Sequence, residues 1–557
     1  MSRYERITGG SALVPAEEAR LPLMTRIART LGLTRRSALR LLAVPRDPVA
    51  GDKQAGAAML EGWLVAGGRR RALAGLDPAD GSLPAELWER LQSFAWLRDL
   101  AAASTHERGR AVAEPLARAW LERMPERAEG PMWRADLWGR RLLFWPAYAP
   151  YILSSRDADY RKRLLRLLVR GARHVEKAGD KCRPGLPRIA AWSGAVAAAL
   201  LVQGAHDRIA RCEAGLGRAI RGGLSDDGGL ISRAPAEQLE LLELLGLLRA
   251  AYATTTRGMP EWLEEAQEGA VAALLCVRLG DGALSSWQGG NPGDPARLRA
   301  ALESAHGGDQ PAAQARGWGY QRLQAKEAVL VMDAAPPPQA RAHPSACAST
   351  LAYELSEGAQ RLIVNCGGGG DQASRLPGEL AHLLRSTAAH STLTLGETNS
   401  TSILADGGLG RGVSEVNLER GTRDGMLMVE ASHDGYVRRF GLLHQRRLLL
   451  APDGKTLEGH DVLIPQGRTG RKPVPFVLRF HLAPAVEVTR TADGRGALLR
   501  VRGQKAWQFK CRGGQLELED SIWIDGGAEP RPTLQLVLAG ETPPAGMTIS
   551  WELKRAG

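Results

Sequence analysis

Cysteine is sparse and unpatterned in this chain: Cys182, Cys212, Cys276, Cys347, Cys366 and Cys511 never fall at C-x-x-C spacing. That excludes a disulfide framework and a cysteine zinc site as the organising device, and leaves reduced, buried thiols as the expectation. Aromatic residues make up only 5% of the chain. With so few rings, no zinc-finger spacing and no long Lys/Arg block, nucleic acid is excluded as a partner despite a net charge of +12. No uncharged apolar run reaches the roughly 20 residues that a membrane helix needs, so no membrane span is expected. The N-terminal MSRYERITGGSALVPAEEAR is charged throughout and has no apolar core followed by a small-residue cleavage site. A cytoplasmic location is therefore expected, with export to the periplasm by another route left open.

What is present is length and positive charge. A chain of 557 residues exceeds the roughly 250–300 at which a single core stops growing, which predicts two domains. The positive excess concentrates anions near the surface, so anionic lipid and acidic polysaccharide stand as partner chemistries.

From about residue 20 to 304, segments such as LWERLQSFAWLRDLAAAS, DYRKRLLRLLVRGARHVEKAG, RIAAWSGAVAAALLVQGAH and AEQLELLELLGLLRAAYA place Leu, Ala and Val at helical spacing. Breaks such as CRPGLP, GGLSDDGG and RGMP separate them. So many sequential helices without a fixed-length consensus predict a closed bundle or toroid of helical hairpins rather than a regular solenoid. Near residue 316 the period changes to two. After the proline-rich APPPQARAHPSA, STLAYELS, RLIVNCG, GMLMVEASH, FVLRFHL, QLELEDSIWI and TLQLVLAG alternate apolar and polar residues between DG and GG turns, which predicts an antiparallel sandwich. The expected organisation is a helical extension over 1–50, a toroid over 51–315 and a β-sandwich over 316–557.

Several strings, in this order along the chain, carry a family resemblance: SFAWLRDLAA, DLWGRRLLFW, DGGLISRAP, GYQRL, LIVNCG, TAAHSTLTLGETNS, ASHDGY and RFHLAPAVEV. The set resembles the bacterial heparinase II/III-like proteins, which join an incomplete α/α toroid to an antiparallel β-sandwich and include polysaccharide lyases. What the resemblance implies is β-elimination on a uronic-acid glycan, with an acidic polysaccharide or oligosaccharide bound between the domains. That chemistry needs a base for the C5 proton, a donor for the leaving oxygen and a cation to neutralise the sugar carboxylate. Arginine suits the last task through its bidentate fork, and tyrosine or histidine suits the first two.

Arg233, following DDGGLIS, is expected at a loop mouth, with a merely exposed role as the alternative. Tyr252 and Tyr320 are expected near the domain junction, either as proton shuttles or as packed rings. His390, in TAAHSTLTLGE, falls on the family string that faces the toroid. It stands open as a core histidine bonded to a backbone carbonyl, as an acid–base group, or as a metal ligand. The resemblance implies His390, Asp406 and His444 as a set for a structural zinc, though no cofactor is required for the elimination. Departures from the pattern are equally specific. The Asn-His pair of characterised lyases is missing from RIAAWSGAVAAALL, and Leu230 and Ala234 stand where related sequences carry histidine and asparagine. The second expectation is accordingly a catalytically reduced relative that binds acidic glycans or serves in envelope polysaccharide assembly. The short WLVAGGRRRALAG reads as a basic helix end, and CGGGGDQ as a loop over the cleft.

Overall fold

The computed structural model describes residues 39–556 apart from 68, 306, 313–314, 340–342, 369–375, 377, 467–471 and 528. The helical extension expected over 1–50, His306 and most of CGGGGDQ therefore lie largely outside the described residues.

The helical half runs through α1 (Lys53–Leu60), α2 (Ala85–Ser93), α3 (Trp96–Ala103), α4 (His106–Arg123), α5 (Ala135–Ala147), α6 (Ala149–Leu153), α7 (Ala158–Ala178), α8 (Leu186–Leu201), α9 (Ile209–Arg221), α10 (Pro235–Ala253), α11 (Glu261–Cys276) and α12 (Pro295–Ser304). In α8, the Ala-rich IAAWSGAVAAALL is buried on every side, so α8 is an inner helix surrounded by α5, α7, α9 and α10. Small residues let it approach closely: a Cβ on Gly139 of α5 would stand 2.0 Å from the Ala190 carbonyl, and one on Gly194 would stand 2.1 Å from the Gly139 carbonyl. The outer α7 and α9 instead bury one stripe and leave their charged residues in water.

WLVAGGRRRALAG corrects the expectation of a helix end. It is a hairpin of β1 (Trp63–Ala66) and β2 (Arg69–Ala72), reversed at Gly67, whose φ of +52° suits a tight turn that β-branched or bulky residues resist.

Sixteen further strands follow among the described residues, all antiparallel. They are β3 (Tyr320–Ala325), β4 (Ala328–Asp333), β5 (Tyr353–Glu357), β6 (Gln360–Val364), β7 (Leu393–Leu395), β8 (Val416–Arg423), β9 (Met426–His433), β10 (Leu442–Leu450), β11 (Thr456–Pro465), β12 (Val474–Leu482), β13 (Val486–Arg490), β14 (Gly496–Val501), β15 (Trp507–Arg512), β16 (Gln515–Ile524), β17 (Pro530–Thr542) and β18 (Met547–Arg555). One sheet has the order β16-β17-β12-β6-β5-β4-β3, with β7 also on β12, and the other the order β13-β14-β15-β18-β11-β10-β9-β8. Leu448, Leu478, Phe480, Phe509 and Trp551 fill the space between them.

β4 reads AVLVMD without a polar alternate, and its surroundings explain why. Val329 and Val331 pack on the helical core while Leu330 and Met332 enter the sandwich core, so both faces of the strand are covered. The first sheet is thus the layer shared by the two halves. Among the described residues no helix is long and apolar enough to cross a membrane.

Candidate functional site

The shared sheet meets the toroid loops in a buried polar joint. Two loops build its helical side, 224–233 (LSDDGGLISR) and 279–288 (LGDGALSSWQ). Each closes an isolated bridge, Leu224 to Leu230 and Arg278 to Leu284, and each ends in a non-glycine residue at positive φ, Arg233 at 54° and Gln288 at 49°. Such backbone costs about 1–3 kcal/mol per residue and persists only where the surroundings hold it.

What holds Arg233 is its own side chain. Nε donates to the Trp318 carbonyl at 2.7 Å, Nη1 to the Pro336 carbonyl at 2.8 Å and Nη2 to Asp333 Oδ1 at 2.5 Å, and the guanidinium lies 4.8 Å over the Tyr320 ring. Asp333 takes a further hydrogen bond from Ser349 Oγ at 2.6 Å, and Gln288 donates to the same hydroxyl at 3.1 Å. Tyr320 donates its hydroxyl to the Arg233 carbonyl at 2.6 Å. Burial pushes that phenol well above its ordinary value. Arg233 is 5% exposed, which corrects the expectation of a loop-mouth cation: its fork is already bound to the other half of the molecule.

His390 follows a short 3-10 turn, Thr387–Ala389, and its Nδ1–H donates to the Ser386 carbonyl at 2.7 Å. Burial lowers its pKa to about 4, against the raising influence of that hydrogen bond and of Asp333 nearby, so the ring is neutral. With Nδ1 as donor, Nε2 is the basic nitrogen, and no described residue hydrogen-bonds it. Arg233, Tyr320 and His390 are therefore gathered around Asp333.

Tyr252 is elsewhere. It sits at the end of α10 inside the helical half and donates to Glu213 at 2.9 Å, a carboxylate shared with Arg257. Burial first, and Glu213 second, raise its pKa.

The zinc set does not fit its residues. Asp406 is exposed and accepts from the Gly408 amide of its own turn at 2.9 Å. His444 lies inside the sandwich, where Gly435 N–H donates to His433 Nδ1 at 3.1 Å, His433 Nε2 faces His444 Nδ1 at 3.3 Å, and His444 Nε2 faces Asp461 Oδ1 at 2.8 Å. Read from the amide end, this chain fixes both tautomers: each imidazole is neutral, donates once and accepts once, and keeps no lone pair for a metal. Asp461 also accepts from Arg446 Nε at 2.8 Å and from Trp551 Nε1 at 3.0 Å. Burial opposes the Asp461 charge, but Arg446 and His444 outweigh it and hold the carboxyl below its ordinary range. Among the described residues no group of three or more His, Cys, Asp or Glu is arranged to hold a metal ion.

Asp333, Gln288, Ser349 and Asp461 were not singled out from sequence. The near-repetition of DGGLISR at 227–233 and DGALSSWQ at 281–288 was the available signal for the paired loops. Beside the joint, a polar cavity of about 430 Å³ opens between the end of α11 and the β3–β4 hairpin, lined by Arg278, Arg322, Lys326, Asp309 and Glu327.

Comparison with known proteins agrees with this architecture. Residues 307–552 match the family model for the heparinase II/III-like C-terminal domain. FtsZ-localized protein C of Caulobacter vibrioides is 29% identical over 546 residues, covering 93% of this chain and 90% of that protein. A crystal structure of heparinase III superposes with a TM-score of 0.66 at 13% identity, covering 84% of this chain and 77% of the other. A mutant of heparan sulfate lyase HepC from Pedobacter heparinus gives 0.60 at 13% identity, covering 90% and 82%. At such identities the solved structures establish the fold: a helical toroid followed by an antiparallel sandwich, the polysaccharide-lyase type.

Proposed function

We propose, from the premise that residues 307–552 are a heparinase II/III-like C-terminal domain, that this protein keeps the lyase fold as a binding scaffold of the cell-division apparatus. The observation that carries the reading is the state of Arg233. The cation expected to neutralise a sugar carboxylate is buried, ion-paired to Asp333 and bonded to backbone carbonyls, so a substrate would have to break the joint between the domains to reach it. The missing Asn-His pair points the same way. Its likeness to FtsZ-localized protein C over nearly the whole length of both chains supports a place beside FtsZ, and a cytoplasmic location belongs to the same proposal. An acidic oligosaccharide remains the ligand proposed for the cavity at Arg278 and Arg322, where guanidinium groups meet a carboxylate and Asp309 and Glu327 accept from hydroxyls. No metal is called on.

A second reading, elimination, is favoured by one feature: neutral His390 keeps an Nε2 that no described residue hydrogen-bonds, and its ring feels Asp333, the partner of Arg233. Two measurements separate the readings. Ultraviolet absorbance of the unsaturated uronide should stay flat with heparan sulfate, alginate, hyaluronan and polyglucuronate, and the purified protein should co-sediment with FtsZ filaments. A rise on any polymer that is lost in His390→Ala establishes the lyase instead.

A further inference from the structure

α7 carries on its outer side a row of charge that no other described residue balances. Its exposed residues include Lys162, Arg163, Arg166, Arg170, Arg173 and Lys177. Five of these, from Arg163 to Lys177, step by three and four, so they stand on one face in a line about 21 Å long at 1.5 Å per residue. The opposite stripe, Leu164, Leu167, Leu168, Gly171, Ala172 and Val175, anchors the helix. At Gly171 it seats so closely that a Cβ would lie 2.1 Å from the Trp138 ring. The row is thus held straight by the toroid core.

Arginines elsewhere on the helical half have carboxylate partners: Arg118 with Glu114 and Asp157, Arg134 with Glu89 and Asp136, Arg297 with Glu243. On α7 the pattern changes. Arg170 lies 4.6 Å over the Trp133 ring and donates to the Glu126 carbonyl, and no cation of the row forms an ion pair with a described residue. Of the acids on the same helix, Asp159 sits in the first turn and Glu176 is paired with Arg208. His174, tucked beneath the row and bonded to the Trp133 carbonyl, registers the field: after burial, Arg170, Lys177 and Lys181 all disfavour its charged form. Like charges three and four residues apart weaken a helix, and here only an external anion would offset them.

We propose that the outer face of α7 is a docking surface for an acidic polypeptide segment, whose Asp and Glu carboxylates pair with this row. The chemistry of the face selects that partner. α7 exposes no aromatic ring on which a nucleic-acid base could stack. None of the exposed large apolar residues, Leu39, Leu42, Val44, Leu383 and Leu404, lies on it to enter a bilayer. Carboxylates on a flexible chain match guanidinium forks bidentately along a straight line of sites. The surface is separate from the joint, so it stands whether the joint binds or catalyses.

The test uses the full-length protein and a labelled oligoglutamate peptide, followed by fluorescence anisotropy at two salt concentrations. Reversing three charges on the row (R163E, R166E, R173E) should weaken binding by about tenfold or more. Reversing three on the β1–β2 hairpin (R69E, R70E, R71E) changes net charge equally and should weaken it less than about twofold. Equal losses in both overturn the proposal, since net charge alone would then attract the peptide. Retained binding in the row variant overturns it as well, as does tighter row-dependent binding of phosphatidylserine vesicles or single-stranded DNA. Circular dichroism melts verify folding, and the neutral pair R166Q and R173Q replaces the reversal if that variant melts early.

Discussion

The joint between the domains and the interior of the sandwich are each built around a buried arginine–aspartate pair, yet they leave different groups over. In the sandwich, Asp461 collects Arg446, His444 and Trp551, and the histidine chain beyond it uses every ring nitrogen. In the joint, Asp333 collects Arg233 and Ser349, Arg233 rests mainly on carbonyls, and His390 keeps Nε2 unbonded by described residues. Two sites of similar charge therefore differ in capacity: in the sandwich both imidazoles are fully hydrogen-bonded and only Arg446 Nη2 is left over, whereas in the joint Arg233 is tied up and His390 Nε2 is left over.

The largest test of that difference compares the two aspartates. Arg446 also keeps carbonyl acceptors, at Leu351 and Ser391, so the difference lies in the number of buried donors each aspartate serves: Asp461→Ala strands the donors of Arg446, His444 and Trp551 together and should cost about 3–5 kcal/mol in urea unfolding. Asp333→Ala leaves Arg233 its carbonyl acceptors at Trp318, Ala335 and Pro336, and should cost only about 1–3 kcal/mol. Equal costs would erase the distinction.

The next effect is one of pH. His390 titrates near 4 in the folded chain and near 6.5 when unfolded, so its neutral form contributes fully above pH 6.5. As pH falls from there the unfolded chain takes the proton first, and about 2–3 kcal/mol is lost by pH 4. Stability measured against pH should flatten over this window in His390→Phe, while burial of His433, His444 and His481 keeps the rest of the acid limb steep.

The smallest effect belongs to Tyr252→Phe. One hydrogen bond to Glu213 is lost while Arg257 keeps that carboxylate paired, so about 1 kcal/mol of stability should go, and the FtsZ co-sedimentation proposed above should not change. A change in co-sedimentation would place Tyr252 in function after all.

The halves of the fold were legible because hydrophobic period is a local property: i, i+3, i+4 spacing up to Ser304 and alternation from Tyr320 need no knowledge of partners. Strings such as TAAHSTLTLGE also led to His390 directly. Tyr252 and Tyr320 looked alike in sequence, each at the edge of an element, and only packing separated them. Asp406 and His444 were joined by the family resemblance alone, but β8, β9 and the turns between set registers that a resemblance of strings does not reveal, and the two residues do not converge. The β1–β2 hairpin was mistaken because three arginines after a short apolar run satisfy either period, and the glycine turn decided it.

By itself the sequence determined the order of a helical half and a strand half and the alignment of basic residues along α7, since each follows from residue type at fixed spacing along one element. Tertiary structure alone decided which partner each charge would take. Arg233 and Asp333 lie a hundred residues apart, and their pairing rests on loop geometry and sheet register, where a shift of a few ångström separates a free cation from a structural tie.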